Sequence, residues 1–160
     1  MAHTVIDNFL DKNYFKTIAD IIQSDNFPWF FQKKINGEDK TDKTYFTHLM
    51  YNKDSPGSQH YNSIINAVIL LQAKSLIRIK ANCHLQTKKI IKHAFHVDYP
   101  FSHKGAILYL NTNNGKTILE NGKEINSVAN RVLLFDPSKK HQSTTCTNKQ
   151  ARFNINFNYF

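Results

Sequence analysis

Arg152-Phe153-Asn154-Ile155-Asn156-Phe157-Asn158-Tyr159 reads as a β-strand of unbroken alternation. Successive side chains of a strand point to opposite faces. Phe153, Ile155, Phe157 and Tyr159 therefore share one face, and Arg152, Asn154, Asn156 and Asn158 the other. The apolar face needs cover, and two amphipathic helices earlier in the chain supply it. Tyr14, Phe15, Ile18, Ile21 and Ile22 recur at helical spacing between Lys12 and Ser24. Tyr61, Ile64, Ile65, Val68 and Leu71 form a second stripe, for which Ser55-Pro56 supplies an N-cap and a first-turn proline. The polar face then points away from the helices, into the interior of a β structure. An arginine buried there among amides is costly unless an anion or a carboxylate pairs with it.

Leu76 to Cys83 repeats the pattern. Ile77, Ile79, Ala81 and Cys83 point one way, and Arg78, Lys80 and Asn82 the other. Pro28 to Phe31, Tyr45 to Leu49, Ala106 to Asn111 and Arg131 to Phe135 read as further strands. Lys33 to Lys43 is a charged stretch with a turn at Asn36-Gly37, and Gln86 to Lys92 is a basic loop. Thr112-Asn113-Asn114-Gly115 reads as a hairpin turn and Asn121-Gly122 as the next turn. Helices followed by many short strands and tight turns give an α+β order, mainly β, of jelly-roll or barrel type. At 160 residues the chain fits one domain, 1–160, with 1–75 mostly helical and 76–160 forming the strand core.

Composition sets the outer bounds. Hydrophobic residues make up 41% and aromatic ones 12%, which is enough for a real core. The longest apolar run, Ala67 to Leu71, is far short of a membrane span. The start of the chain carries no charged segment followed by an apolar one, so no secretion signal is expected. Cys83 and Cys146 sit in no metal-binding spacing and read as buried or half-buried thiols in a reducing cytoplasm. The formal net charge of +9 attracts anions, with scattered lysines giving no dedicated nucleic-acid face.

Periodicity alone leaves open that the two polar strand faces simply meet solvent. His96-Val97-Asp98 bears on that choice. On a strand, residues two apart point the same way, so an imidazole and a carboxylate converge. His141, beyond the Arg131–Phe135 strand and a Pro137-Ser138-Lys139-Lys140 turn, is the candidate third ligand. Two histidines and one carboxylate with open positions form the facial triad of non-haem Fe(II) oxygenases. Arg152 follows eleven positions after His141.

With these residues the C-terminal half resembles the 2-oxoglutarate- and Fe(II)-dependent dioxygenases, in particular their prolyl-hydroxylase-like branch. The resemblance rests on His96-Val97-Asp98-Tyr99-Pro100, Tyr109-Leu110-Asn111, Asn130 to Phe135, His141 and Arg152. The whole chain looks like short members encoded by bacteriophages, which would place it in a host cytoplasm. The resemblance implies a double-stranded β-helix with buttressing helices, and His96, Asp98 and His141 as iron ligands. It implies that Arg152 pairs with the distal carboxylate of 2-oxoglutarate, joined by the Tyr109 hydroxyl, with Asn82 near the chelating end. Related hydroxylases often carry Ser or Thr two residues after the arginine, where this chain has Asn154. The implied cosubstrates are 2-oxoglutarate and dioxygen, and the reaction is hydroxylation of an unidentified protein side chain or small molecule. Members that halogenate lack the carboxylate that Asp98 supplies here. Two other readings are a non-catalytic jelly-roll that keeps a metal, and an oxygenase acting on nucleic acid, to which the positive charge points.

The remaining histidines and aromatics take plainer readings. His93 is a loop residue on the face opposite His96, His103 is solvent-exposed, and His48 is structurally satisfied. Cys83-His84 with His93 and His96 matches no zinc spacing. Trp29 and Phe30 belong to the core, and Lys88 to Lys92 is a solvated loop or a lid.

Overall fold

A computed structural model describes residues 3–33 and 44–160. The expected Asn36-Gly37 turn lies outside the described residues. Strand β1 (Thr4–Ile6) precedes helix α1 (Lys12–Ile22), whose Asp11 cap accepts the amides of Asn13 and Tyr14 at 2.9 and 3.1 Å. Strands β2 (Phe30–Gln32), β3 (Tyr45–Asn52) and β4 (Ser55–Pro56) follow. A 3-10 segment (Gln59–Ile64) then runs into α2 (Ile65–Leu70). The rest is β5 (Leu76–Leu85), β6 (Lys104–Tyr109), β7 (Lys116–Leu119), β8 (Glu124–Asn126), β9 (Arg131–Phe135), β10 (His141–Ser143) and β11 (Ala151–Tyr159).

These strands form two antiparallel sheets. Among the described residues the larger has the order β1-β9-β6-β11-β5-β3-β2, with β4 on β3, and the smaller β10-β7-β8. This is the jelly-roll, buttressed by helices, that the strand count and the alternation predict. Strand β11 lies centrally between β5 and β6. Its Ile155, Phe157 and Tyr159 enter one core with Ile18 and Ile22 of α1, Ile64, Ala67 and Leu71, and with Ile79 and Ala81 of β5. Full burial of each large apolar side chain contributes about 1.5–3 kcal/mol, so this layer holds the helices on the sheet. The N-terminal segment is also pinned by Asn130. Its side chain accepts from the Leu10 amide at 2.9 Å and donates to the Leu10 carbonyl at 2.8 Å.

Several local expectations give way to tertiary pairing. Ser55-Pro56 does not start a helix: it pairs with Tyr51 and Asn52 of β3 as β4, and Ser58 caps the 3-10 segment instead. The close approach of Gly57 to β3 fixes this, since its amide donates to the Met50 carbonyl at 2.7 Å and a Cβ there would meet the Leu49 carbonyl oxygen at 2.8 Å. Thr112 to Gly115 is not a hairpin turn, because β6 pairs with β9 and β11 while β7 belongs to the other sheet. The segment crosses between sheets. Asn121-Gly122 does turn a hairpin, β7 to β8, with Gly122 at φ +81°. Trp29 packs partly buried against the core, but Phe30 is 59% exposed at the sheet edge.

Candidate metal centre and anion pocket

The polar faces of β5 and β11 lie side by side. Arg78 faces Asn158, Lys80 faces Asn156, Asn82 faces Asn154, and His84 faces Arg152. Together with β7 and β10 of the small sheet they enclose a cavity of about 120 Å³. The alternation therefore marks an internal wall, with Arg78 and Lys80 at its half-buried end.

His96, Asp98 and His141 meet at one end of this cavity, each offering a ligand atom within 4.8 Å of the others. His96 and Asp98 belong to no extended strand. A single bridge pairs His96 with His141 through reciprocal 2.9 Å amide–carbonyl bonds, and the Asp98 amide donates to the Pro137 carbonyl at 2.9 Å. These bonds set the ligand positions by tying two loops to β10. His141 Nδ1 lies 3.0 Å from the Lys139 carbonyl, which only accepts, so Nδ1 carries the proton and Nε2 keeps its lone pair for the cavity. His96 Nδ1 faces the Ala94 carbonyl in the same sense at 3.5 Å. Asp98 accepts from Asn156 Nδ2 at 3.0 Å and lies 3.3 Å from Arg78 Nη2.

Burial raises the Asp98 pKa, but His141, Arg78, the Asn156 bond and His96 outweigh it and hold the carboxyl below its usual value. His96 is pushed down to about 4 by burial and by the neighbouring His141. Asp98 as a carboxylate, His96 as a neutral imidazole and the Nε2 of His141 are thus set for a metal. The donor set and its spacing fit a divalent first-row ion.

Arg152 lies at the far end and is 1% exposed. Its Nε donates to Ser127 Oγ at 2.8 Å and its Nη2 to Thr117 Oγ1 at 3.1 Å, while Nη1 has no partner. Burial pulls its pKa down from the usual guanidinium value, opposed by Tyr109 and Cys146, with no carboxylate among the groups acting on it. A buried cation held by hydroxyls, with both N–H donors of Nη1 unused, fits a carboxylate arriving from the cavity. The Tyr109 ring lies 5.6 Å from the Arg152 guanidinium carbon, and its hydroxyl donates to Thr117 Oγ1 at 2.8 Å. Asn82 and Asn154 both line the cavity and bond to each other at 3.0 Å.

Further residues complete the walls. His84 is buried under the Tyr45 ring, 5.2 Å away at 9°, and its pKa falls well below the usual imidazole value through burial and through His93, Arg152 and Lys80. Lys80 reaches the Tyr45 hydroxyl at 3.4 Å, and burial with Arg78 nearby lowers it to about 8. The β5 alternation places Lys80 on this wall. Thr117, Ser127 and Tyr45 come from distant segments and carry no spacing that marks them. His93 is buried, bonding Ser143 Oγ at 2.7 Å and stacking on His84. His103 is likewise buried and not solvent-exposed: it bonds the Phe101 carbonyl and Asn158 Oδ1, each at 2.8 Å. His48 is satisfied by the Pro28 carbonyl and Ser58 Oγ, both at 2.7 Å.

No family model matches the chain, and no curated protein matches it. Solved structures do. An oxidoreductase of the 2OG-Fe(II) oxygenase family from Burkholderia pseudomallei superposes with a TM-score of 0.75 at 12% identity, over 98% of this chain and 84% of that one. The fold is that of the 2OG-Fe(II) oxygenases. A Pseudomonas putida prolyl-4-hydroxylase gives a TM-score of 0.67 at 11% identity, over 98% of this chain and 91% of that one. The collagen prolyl hydroxylase of Paramecium Bursaria Chlorella virus-1, in complex with 2OG, gives 0.65 at 12% identity, over 99% and 95%. At such identities the likeness is one of fold. It does not extend to the resemblance with bacteriophage-encoded members.

Proposed function

We propose that this chain is a 2-oxoglutarate- and Fe(II)-dependent oxygenase that hydroxylates an unidentified substrate. One observation carries the reading: a His-Asp-His triad and a buried arginine with an unused N–H stand at opposite ends of one cavity. His96, Asp98 and His141 would hold Fe(II), and Arg152 the distal carboxylate of 2-oxoglutarate. When bound, iron and cosubstrate would supply the oxidising chemistry: 2-oxoglutarate loses carbon dioxide and takes one atom of dioxygen to become succinate, and the other atom becomes the hydroxyl group on the substrate carbon. The protein supplies orientation and charge. Arg78 and Asn156 hold the Asp98 carboxylate in place. The hydroxyls of Thr117 and Ser127 aim the Arg152 guanidinium, whose planar fork suits a carboxylate better than a lysine would.

The fold likeness to the 2OG-Fe(II) oxygenases supports this reading, and two neighbours that are prolyl hydroxylases favour a hydroxylase. The test is succinate formation from 2-oxoglutarate by protein supplied with Fe(II) in air, alone and with peptides, free amino acids or nucleotides. Succinate above the level of His141→Ala is the expected result. Equal amounts from the wild type and His141→Ala under every condition would overturn the proposal.

A further inference from the structure

Two cavities meet at Arg78 and Lys80. The inner one runs to Arg152, while the outer one, about 720 Å³, opens between β3, the Gly57–His60 segment and Tyr99, with Phe30 on its rim. Arg78 and Lys80 line both. Among the described residues, the two linings contain three permanent or near-permanent cations, Arg78, Lys80 and Arg152, and one carboxylate, Asp98.

The charge balance is informative. A divalent metal in the triad adds two positive charges, and 2-oxoglutarate brings two negative ones. Two positive charges remain, and they belong to the pair at the junction. Arg78 touches Asp98 through Nη2 only, its Nε is buried without a partner, and its guanidinium lies over the Tyr99 ring at 5.2 Å. Lys80 reaches a phenol and, among the described residues, forms no ion pair. Cations left so in a partly desolvated site call for an anion.

We infer that the outer cleft takes a substrate bearing a carboxylate or phosphate group, read by Arg78 and Lys80, with the body of the substrate against Phe30 and Tyr99. This rests on the oxygenase reading for the direction in which substrate approaches. An anionic group at the junction would place the neighbouring carbon beside the triad, because Arg78 touches both the cleft and the Asp98 carboxylate.

The test uses full-length protein loaded with Zn(II) in place of iron and saturated with 2-oxoglutarate, so that Arg152 is occupied. Phenylacetate and phenyl phosphate probe the two anion sources, and phenylacetamide is the neutral counterpart, each titrated by calorimetry. At least one anion should bind at least tenfold tighter than phenylacetamide, and the tighter anion identifies the source. Lys80→Met should remove that preference and Lys80→Arg should restore it. Lys80→Met gives up one long bond to the Tyr45 hydroxyl and leaves no charge unpaired, so it should fold. Equal binding of acid and amide, or anion binding unchanged in Lys80→Met, would overturn the inference. Titration of 2-oxoglutarate on the same samples separates the two readings: if it binds while the probes show no charge preference, the anion cleft alone fails.

Discussion

Tyr109 and Arg152 donate to one acceptor, Thr117 Oγ1, at 2.8 and 3.1 Å, so a strand of the small sheet ties together two strands of the large one. Thr117→Val strands two buried donors at once, and an orphaned buried donor costs about 1–3 kcal/mol. Tyr109→Phe removes a donor and leaves the threonine with Arg152, at a cost of about 0.5–1.5 kcal/mol. Urea unfolding should rank Thr117→Val as the more damaging change. The reverse order would show that Tyr109 matters through some other contact.

Gly115 gives the arginine its room. A Cβ at this position would stand 2.6 Å from Arg152 Cδ and 2.9 Å from both Asn113 Oδ1 and the Thr145 carbonyl oxygen. Backbone on one side cannot yield, so Gly115→Ala must push Arg152 and strain the crossing, at about 1–3 kcal/mol. Gly122→Ala strains a positive φ in open space, far from the cavity. Both variants should melt earlier, and only Gly115→Ala should lose 2-oxoglutarate affinity. Equal affinity in the two would detach Gly115 from the pocket.

Metal-free protein should lose stability in mild acid. The pKa of His96 falls from 6.5 to about 4 on folding, and that of His84 falls well below 6.5. The unfolded chain then binds more protons, so stability is complete above about pH 6.5 and is lost as pH falls toward 4. For His96 alone the loss is of the order of 3 kcal/mol. Chemical unfolding of the metal-free wild type and His96→Gln at pH 7.5, 6 and 5 checks this: the variant should show the shallower dependence. Parallel curves would mean that His96 is not held neutral by the fold.

What the sequence reveals follows the range of the interaction. Alternation in Leu76–Cys83 and Arg152–Tyr159 is local, and it identifies the walls of the cavity because one face of each strand must meet the helices. His96, Asp98 and His141 are legible from their residue types and spacing, although a single bridge and two loops, rather than a strand, bring them together. The failures arise where a distant partner decides. Ser55-Pro56 has the form of a helix start, but the β3 edge captures it. Asn114-Gly115 has the form of a hairpin turn, but the strands on its two sides join different sheets. Thr117 and Ser127 look like ordinary strand and loop residues, and only the folded chain sets them beside Arg152.

The central claim is tested most directly by anaerobic titration of 2-oxoglutarate into protein loaded with Fe(II), for the wild type and Arg152→Ala, with thermal melting of both. Two charge-assisted bonds to a carboxylate, each about 1.5–3 kcal/mol, predict a Kd at least tenfold weaker in the variant. The melting temperature should fall only modestly, since Arg152 gives up two bonds to hydroxyls, about 1–3 kcal/mol together, and has no carboxylate partner to strand. One equivalent bound by the wild type, with that loss of affinity in a folded Arg152→Ala, is the result the account predicts. Unchanged affinity in a folded variant would contradict it.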